Sequence, residues 1–201
     1  MSAVICTRAY GELPFDMDAA LRYAGCRTSD EEVRALMTFC AEEALPVLSY
    51  RVCFCTVPVT VEGDAVTFPF ATVESRSLAR HVAGCDEAVL FAATVGLELD
   101  RLIFREGHLS PARAVCLQAI GAERIEAVCD RFQQEMGNEY GAIRTRFSPG
   151  YGDLPLAFQR DLFRILDCQR AIGLTLNESM LMSPSKSVTA VIGVERREGK
   201  E

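Results

Sequence analysis

The chain has 201 residues, 49% of them hydrophobic and 24% charged, values usual for a globular protein long enough to bury a sizeable core. Lys and Arg number 21 against 28 Asp and Glu, a formal charge of −7, which argues against broad electrostatic binding to nucleic acid or to an anionic membrane surface. The longest nearly apolar stretch, residues 88–97, is far shorter than the ~20 residues a membrane helix requires, and no basic, apolar, small-residue leader opens the sequence.

Taken in chain order, a short helix is expected at residues 16–23, stopping near Gly25. Thr28-Ser29-Asp30 followed by Glu31 and Glu32 reads as the start of a second helix, with acids at the positive end of its dipole. Val33, Leu36, Met37, Cys40 and Leu45 give it an apolar stripe that ends before Pro46. Residues 48–70 are β-branched and aromatic around a Glu62-Gly63-Asp64 turn, which predicts strands and at least one hairpin, with Pro58 marking an edge or a bulge. A short helix is expected at 77–82 and a buried strand at 87–94. Residues 111 to about 136 carry the strongest helical pattern, with Pro111 in the first turn and apolar residues from Val115 to Phe132 at three- and four-residue spacing. A second amphipathic helix is expected from about 156 to 166, ending before Gly173, and a last strand at 187–194, ahead of a solvated polar tail at 195–201. Strands cluster and helices cluster without regular alternation. The expected fold is α+β: a mostly antiparallel twisted sheet with helices packed around it, one domain over residues 1–201.

Nine cysteines are an odd count. Cys40, Cys116 and Cys129 sit in apolar patterns, where a reduced thiol behaves as a small hydrophobe. Cys53 and Cys55 share one face of a strand, and such a pair can ligate zinc. A four-ligand site needs two further donors, and neither a second close pair nor His81 or His108 supplies them at ligand spacing. The expectation is no metal, with buried thiols in a cytoplasmic protein. No phosphate-binding glycine loop, dinucleotide fingerprint or nucleophile elbow is present. His81-Val82-Ala83-Gly84 has the H-x-x-G half of a cobalamin-ligand motif but Ala79 where the aspartate belongs, so a helix C-terminus capped by Gly84 is expected.

The most informative segment is Arg144-Thr145-Arg146-Phe147-Ser148-Pro149-Gly150-Tyr151-Gly152-Asp153. One reading is a tight turn, with Pro149 presetting one corner and Gly150 supplying the positive φ of the next. The other is a strip that grips a zwitterionic small molecule. In that reading Arg146 pairs with a carboxylate, exposed backbone amides meet a heterocycle, and Tyr151 faces a cationic or π-rich group.

Arg146-x-x-Pro149-Gly150-Tyr151, then an amphipathic helix, then Leu174-Thr175-Leu176-Asn177-Glu178-Ser179 and Met182-x-Pro184-x-x-Ser187-Val188, resembles the activation domain of cobalamin-dependent methionine synthase. The likeness is specific over residues 144–193, weaker over 90–96 and the helix from Pro111, and absent from the first 85. It divides the chain into an N-terminal helical and hairpin part (1–85), a family-like part (86–194) and the tail, and it implies a free-standing form of the domain.

The resemblance implies binding of S-adenosylmethionine in a shallow groove. It also implies support for reductive methylation of cob(II)alamin carried by a corrinoid-dependent methionine synthase in trans, with flavodoxin or a similar carrier as electron donor. The domain's task is then positioning, with no acid–base catalytic residue. Two alternatives keep the scaffold: an activator of another corrinoid methyltransferase, and a non-catalytic S-adenosylmethionine sensor. Matched position by position, Arg146 holds the methionine carboxylate, the backbone of Ser148 and Gly150 meets the adenine and ribose side, and Tyr151 is the ring beside the ligand. Glu139 is a weaker candidate for balancing the sulfonium, and Ser187 is expected to anchor the strand-entry backbone. Ile192 stands where the family often has an aromatic residue, which implies an altered wall of the site. Asp30 or another early carboxylate would meet the ligand's ammonium group.

Overall fold

The apolar run around Leu90 can be satisfied only by cover on both faces, and the fold gives it the central place in a sheet. In the computed structural model, which describes residues 3–26 and 31–195, the chain runs β1 (Cys6–Tyr10), α1 (Met17–Tyr23), α2 (Glu31–Ala44), β2 (Tyr50–Pro58), β3 (Thr60–Glu62), β4 (Ala65–Phe68) and β5 (Ala71–Glu74). There follow α3 (Arg76–His81), β6 (Cys85–Thr94), α4 (Glu98–Leu109), α5 (Pro111–Tyr140) and β7 (Ile143–Phe147). The chain closes with α6 (Gln159–Leu166), α7 (Cys168–Ile172), β8 (Thr175–Leu176), β9 (Met182–Ser183) and β10 (Ser187–Glu195). The main sheet has the order β1-β2-β6-β10-β7, and every neighbouring pair is antiparallel. The expected α+β architecture is the one observed.

Two cores lie on the two faces of this sheet. On one, α1, α2 and α5 cover Val52, Phe54, Val89, Phe91 and Ile192. On the other, α3, α6, α7 and the β3–β5 meander cover Cys53, Cys55, Leu90, Ala92 and Val191. The period-two alternation of a strand thus sends Cys53 and Cys55 to the same face, as expected. All nine cysteines are free. Burial pushes the Cys55 and Cys116 thiols up to about 11 and Cys129 up to about 12, so they stay protonated and pack as hydrophobes. Among the described residues no three His, Cys, Asp or Glu side chains gather as a metal site. No described helix is long and apolar enough to cross a membrane.

The largest fully buried side chain is that of Arg124 on α5. It pairs with its neighbour Glu123 and donates to the Leu13 carbonyl at 2.8 Å and to that of Pro14, with the Phe15 ring 5.2 Å away. Glu123 in turn accepts from the Asp16 amide at 3.2 Å. These bonds tie the N-terminal segment to the long helix.

Several expectations shift. Pro58 ends β2, an interior strand, at the point where only β6 still runs beside it; lacking an N–H, it needs no second partner there. α5 extends four residues beyond the expected end, to Gly141 in positive φ. The expected helix at 156–166 opens with a 3-10 turn at Leu156–Phe158, and after Asp167, which takes a left-handed conformation, the separate helix α7 follows and ends at Gly173. β1 and α4 were not read from the sequence. The start at Thr28-Ser29-Asp30, and with it the Asp30 candidate, lies outside the described residues, as does the tail beyond Glu195.

Candidate functional site

Strand β7 pairs with β10 through Ile143↔Val194, Arg146↔Ile192 and Phe147↔Val191, and there the pairing stops. Two residues later comes Pro149, which cannot donate to a ladder. Gly150, at φ +92°, then turns the chain away. Tyr151 N donates to Ser148 O at 3.1 Å and Gly150 N to Leu154 O at 2.9 Å, so the expected tight turn is present. On its β7 side the first stretch of β10, from Ser187 to Thr189, has no strand partner among the described residues.

The departing loop is held rigidly. The Asp153 carboxylate accepts from Ser75 Oγ at 2.6 Å and from the amides of Arg76 and Ser77, both at 3.0 Å, and so caps α3. The Ser75 hydroxyl and the Ser77 amide hold this carboxyl well below the usual carboxylate range. Gly152 has φ +56°, and a Cβ there would fall 2.5 Å from Ser77 Oγ. Positive φ and close approach both demand glycine. From the other side, His81 Nε2–H donates to Thr145 O at 2.6 Å, and the His81 ring lies 5.0 Å from Phe147. His81 is thus a helix-end residue that braces β7; the cap itself is Val82, not Gly84, which follows two residues later in positive φ.

In the fork between β10 and the loop lies a cavity of about 640 Å³, lined by Arg146, Ser148, Tyr151, Ser187, Val188 and Thr189 and by Glu126, Asp130 and Gln133 of α5, which adjoin Arg146. Arg146 donates from Nη1 to Asp130 at 2.6 Å and from Nη2 to Glu126, while its backbone N–H donates to Gln133 Oε1 at 2.9 Å. Burial works against the Arg146 charge, but the Asp130 and Glu126 carboxylates outweigh it and hold the guanidinium firmly protonated. Two acids and one guanidinium leave this wall one negative charge in excess. Tyr151 stands at the rim, 65% exposed. Thr189 Oγ1 faces the opposite problem: it is buried with no hydrogen-bond partner among the described residues, a state that invites a polar ligand.

A family model for the vitamin B12 dependent methionine synthase activation domain matches residues 78–198, more than half of the chain. The chain belongs to this family. The activation-domain fold extends past the matched segment: a crystal structure of the MetH reactivation domain bound to AdoHcy superposes with a TM-score of 0.70 over 99% of this chain and 81% of that one, at 14% sequence identity. That likeness is one of fold. No curated protein matches the sequence.

Against the activation-domain reading, Arg146, Ser148, Tyr151 and Ser187 come together in the cavity wall. Gly150 does not line it, because its amide is spent on Leu154, and its part is to make the turn. Glu139 is exposed and lies 4.0 Å from Arg8, away from the cavity. Ile192 is fully buried in the core under α5 and does not line the cavity. Ser187 does anchor strand entry: its hydroxyl donates to Pro184 O at 2.8 Å and sits 2.9 Å from the Thr94 hydroxyl. Sequence reasoning missed Glu126, Asp130, Gln133 and Thr189. The first three recur on one polar face of α5, and only the placement of β7 distinguishes that face from a solvated one.

Proposed function

We propose that the chain binds S-adenosylmethionine in the cavity beside Tyr151 and supports reductive methylation of cob(II)alamin carried in trans by a corrinoid-dependent methionine synthase. The observation that carries this reading is the charge of the wall. S-adenosylmethionine bears a sulfonium, an ammonium and a carboxylate, a net positive charge that complements the excess negative charge of Glu126, Asp130 and Arg146. Family membership and the AdoHcy-bound relative support the same ligand, and a cavity of about 640 Å³ is of a suitable size for it.

Two of the five Arg146 N–H donors are committed to acids, which leaves the others for the methionine carboxylate. Glu126 and Asp130 face the cationic groups. The unpaired edge of β10 and the Thr189 hydroxyl offer hydrogen bonds to the adenine or ribose, Ser148 adds to that wall, and the exposed Tyr151 ring lies against the cation. The chemistry supplied is transfer of the sulfonium methyl to reduced cobalt on the partner, with the C–S bonding pair staying on sulfur. Nothing on this chain needs to move a proton, and its residues act by orientation. An outside carrier such as flavodoxin supplies the electron, and the cytoplasm is the compartment that fits this traffic.

Calorimetry with S-adenosylmethionine tests the ligand, and absence of heat at millimolar concentration refutes the reading. Transfer of labelled methyl to cob(II)alamin-loaded methionine synthase lacking its activation domain, with a chemical reductant, tests the role in trans. Binding without transfer would remove methionine synthase as the client and leave the sensor and the activator of another corrinoid methyltransferase standing.

A further inference from the structure

One row of α5 residues runs past the ligand cavity. Glu126 lines that cavity, and one turn earlier Ala122, then Gln118 and Val115, line a second cleft of about 390 Å³ between α5, α4 and α1. The two hollows lie end to end along the same helix face. The lining of the second includes Tyr23, Gln118 and Lys186, residues of three different elements.

Lys186 is unusual in this chain. Of 21 basic residues only Lys186 and Lys200 are lysines. The main chain around it is fixed: Ser185 N and Oγ both bond to Asp100, at 2.7 and 2.6 Å, and Lys186 O accepts from Val95 N at 3.2 Å. Its stem lies on α5 where Gly121 leaves room, since a Cβ on that glycine would fall 2.8 Å from Lys186 Cγ. Among the described residues no acid forms an ion pair with it; Asp100, the carboxylate whose charge it feels, has both oxygens occupied by Ser185. Partial burial accordingly disfavours its charged form. A lysine anchored at its main chain and without an ion pair among the described residues, in a cleft also lined by Tyr23, Gln118, Ile103, Val115 and Ala122, has the features of an anion site with an apolar floor.

We propose that this cleft is a carboxylate-binding site that takes a carboxylate carried on a short apolar body, with Lys186 as its counter-ion and Tyr23 and Gln118 as hydrogen-bond donors. The carboxylate belongs to a molecule separate from the ligand of the first cavity, whose own carboxylate faces Arg146. The site is argued from residues outside the methyl-donor cavity and does not depend on that reading.

The two lysines make the test direct. With isotope-labelled lysine the full chain gives two side-chain amine signals, assigned by Lys186→Met. Titration with butyrate should shift the Lys186 signal saturably and leave Lys200 unmoved, while butylamine should shift neither. Gln118→Leu and Tyr23→Phe should each weaken butyrate, and Lys186→Met should remove roughly tenfold or more of its affinity by calorimetry, the scale of a lost charge-assisted bond. A Lys186 signal that ignores butyrate, or an affinity unchanged by Lys186→Met, overturns the proposal. Butyrate should still bind with S-adenosylmethionine present, and a Lys186 shift produced by S-adenosylmethionine but not by its decarboxylated analogue would put that ligand's own carboxylate in the cleft and overturn the proposal. Butyrate binding in a chain that gives no heat with S-adenosylmethionine would sink the functional reading and leave this one intact.

Discussion

Replacing Glu126 by Gln removes one charge from the cavity wall and changes little else in shape. The wall then carries Asp130 against Arg146 and is neutral. A sulfonium placed roughly 6 Å from the lost charge, at an effective dielectric of about 40 between surface and bulk values, loses about 1.4 kcal/mol, or roughly tenfold in affinity. S-adenosylhomocysteine lacks that charge and should bind the variant nearly as it binds the unaltered protein. The readout is therefore a ratio: the preference for S-adenosylmethionine over S-adenosylhomocysteine should fall by about an order of magnitude in Glu126→Gln, measured by calorimetry at low salt. Glu126 is 42% exposed and its pair with Arg146 is partly open, so the stability cost should stay within about 1 kcal/mol, and the comparison is between two folded proteins. If both ligands bind and their ratio moves by less than twofold, the argument from charge is wrong, whatever the cavity binds.

Thr189→Val removes a buried hydroxyl that has no partner among the described residues; urea unfolding should show equal or greater stability, while affinity for S-adenosylmethionine should fall by roughly 1 kcal/mol. Arg124→Met strands Glu123 in the interior and should cost about 3–5 kcal/mol of unfolding free energy, with much of it regained when Glu123→Leu is added; a loss under 1 kcal/mol would contradict the stitching role. The Asp153 carboxylate has a folded value held below its ordinary one near 4, so the stability it contributes is present above about pH 4 and lost as pH falls below it. In Asp153→Asn the acid limb of the Tm profile between pH 4 and 2 should be shallower, and an identical limb would refute the cap. Ile192→Phe, which restores the family's frequent aromatic residue, should overpack the core under α5 at a cost of about 1–3 kcal/mol and leave ligand affinity in the folded protein unchanged.

How much was legible beforehand follows from where each signal lives. The periodicity of α5 and the two-sided apolarity of β6 are properties of single elements, and both were readable. The Ser148–Tyr151 turn was readable for the same reason, since Pro149 and Gly150 fix their own dihedrals. α4 escaped because Val95, Gly96 and Leu97 continue the apolar texture of β6 and Gly107 interrupts the helical pattern. Arg146 was found, but not what holds it. Its partners Glu126 and Asp130 stand 20 and 16 residues earlier on a helix face like any solvated one, and only the docking of β7 against α5 makes them a wall. Thr189 reads as an ordinary strand residue until β7 stops short of it.

That stopping point is where sequence and site join. β7 could run on beside β10 and close the edge, as strand pairing favours, were it not for Pro149, the positive φ of Gly150 and the clamp of Asp153 on α3. Three local devices spend pairing energy to hold a fork open. The held loop, the free edge of β10 and the charged face of α5 are therefore in place before any ligand arrives, so the ordering that binding would otherwise cost has been met by folding. A site preorganised in this way should respond to changes in the clamp almost as strongly as to changes in the wall. Gly152→Ala, at a position outside the cavity lining, drives a Cβ into Ser77 and should weaken S-adenosylmethionine, and Ser77→Gly, by clearing the space, should restore part of the loss. If Gly152→Ala folds and binds as before, the fork is set by something other than its anchor.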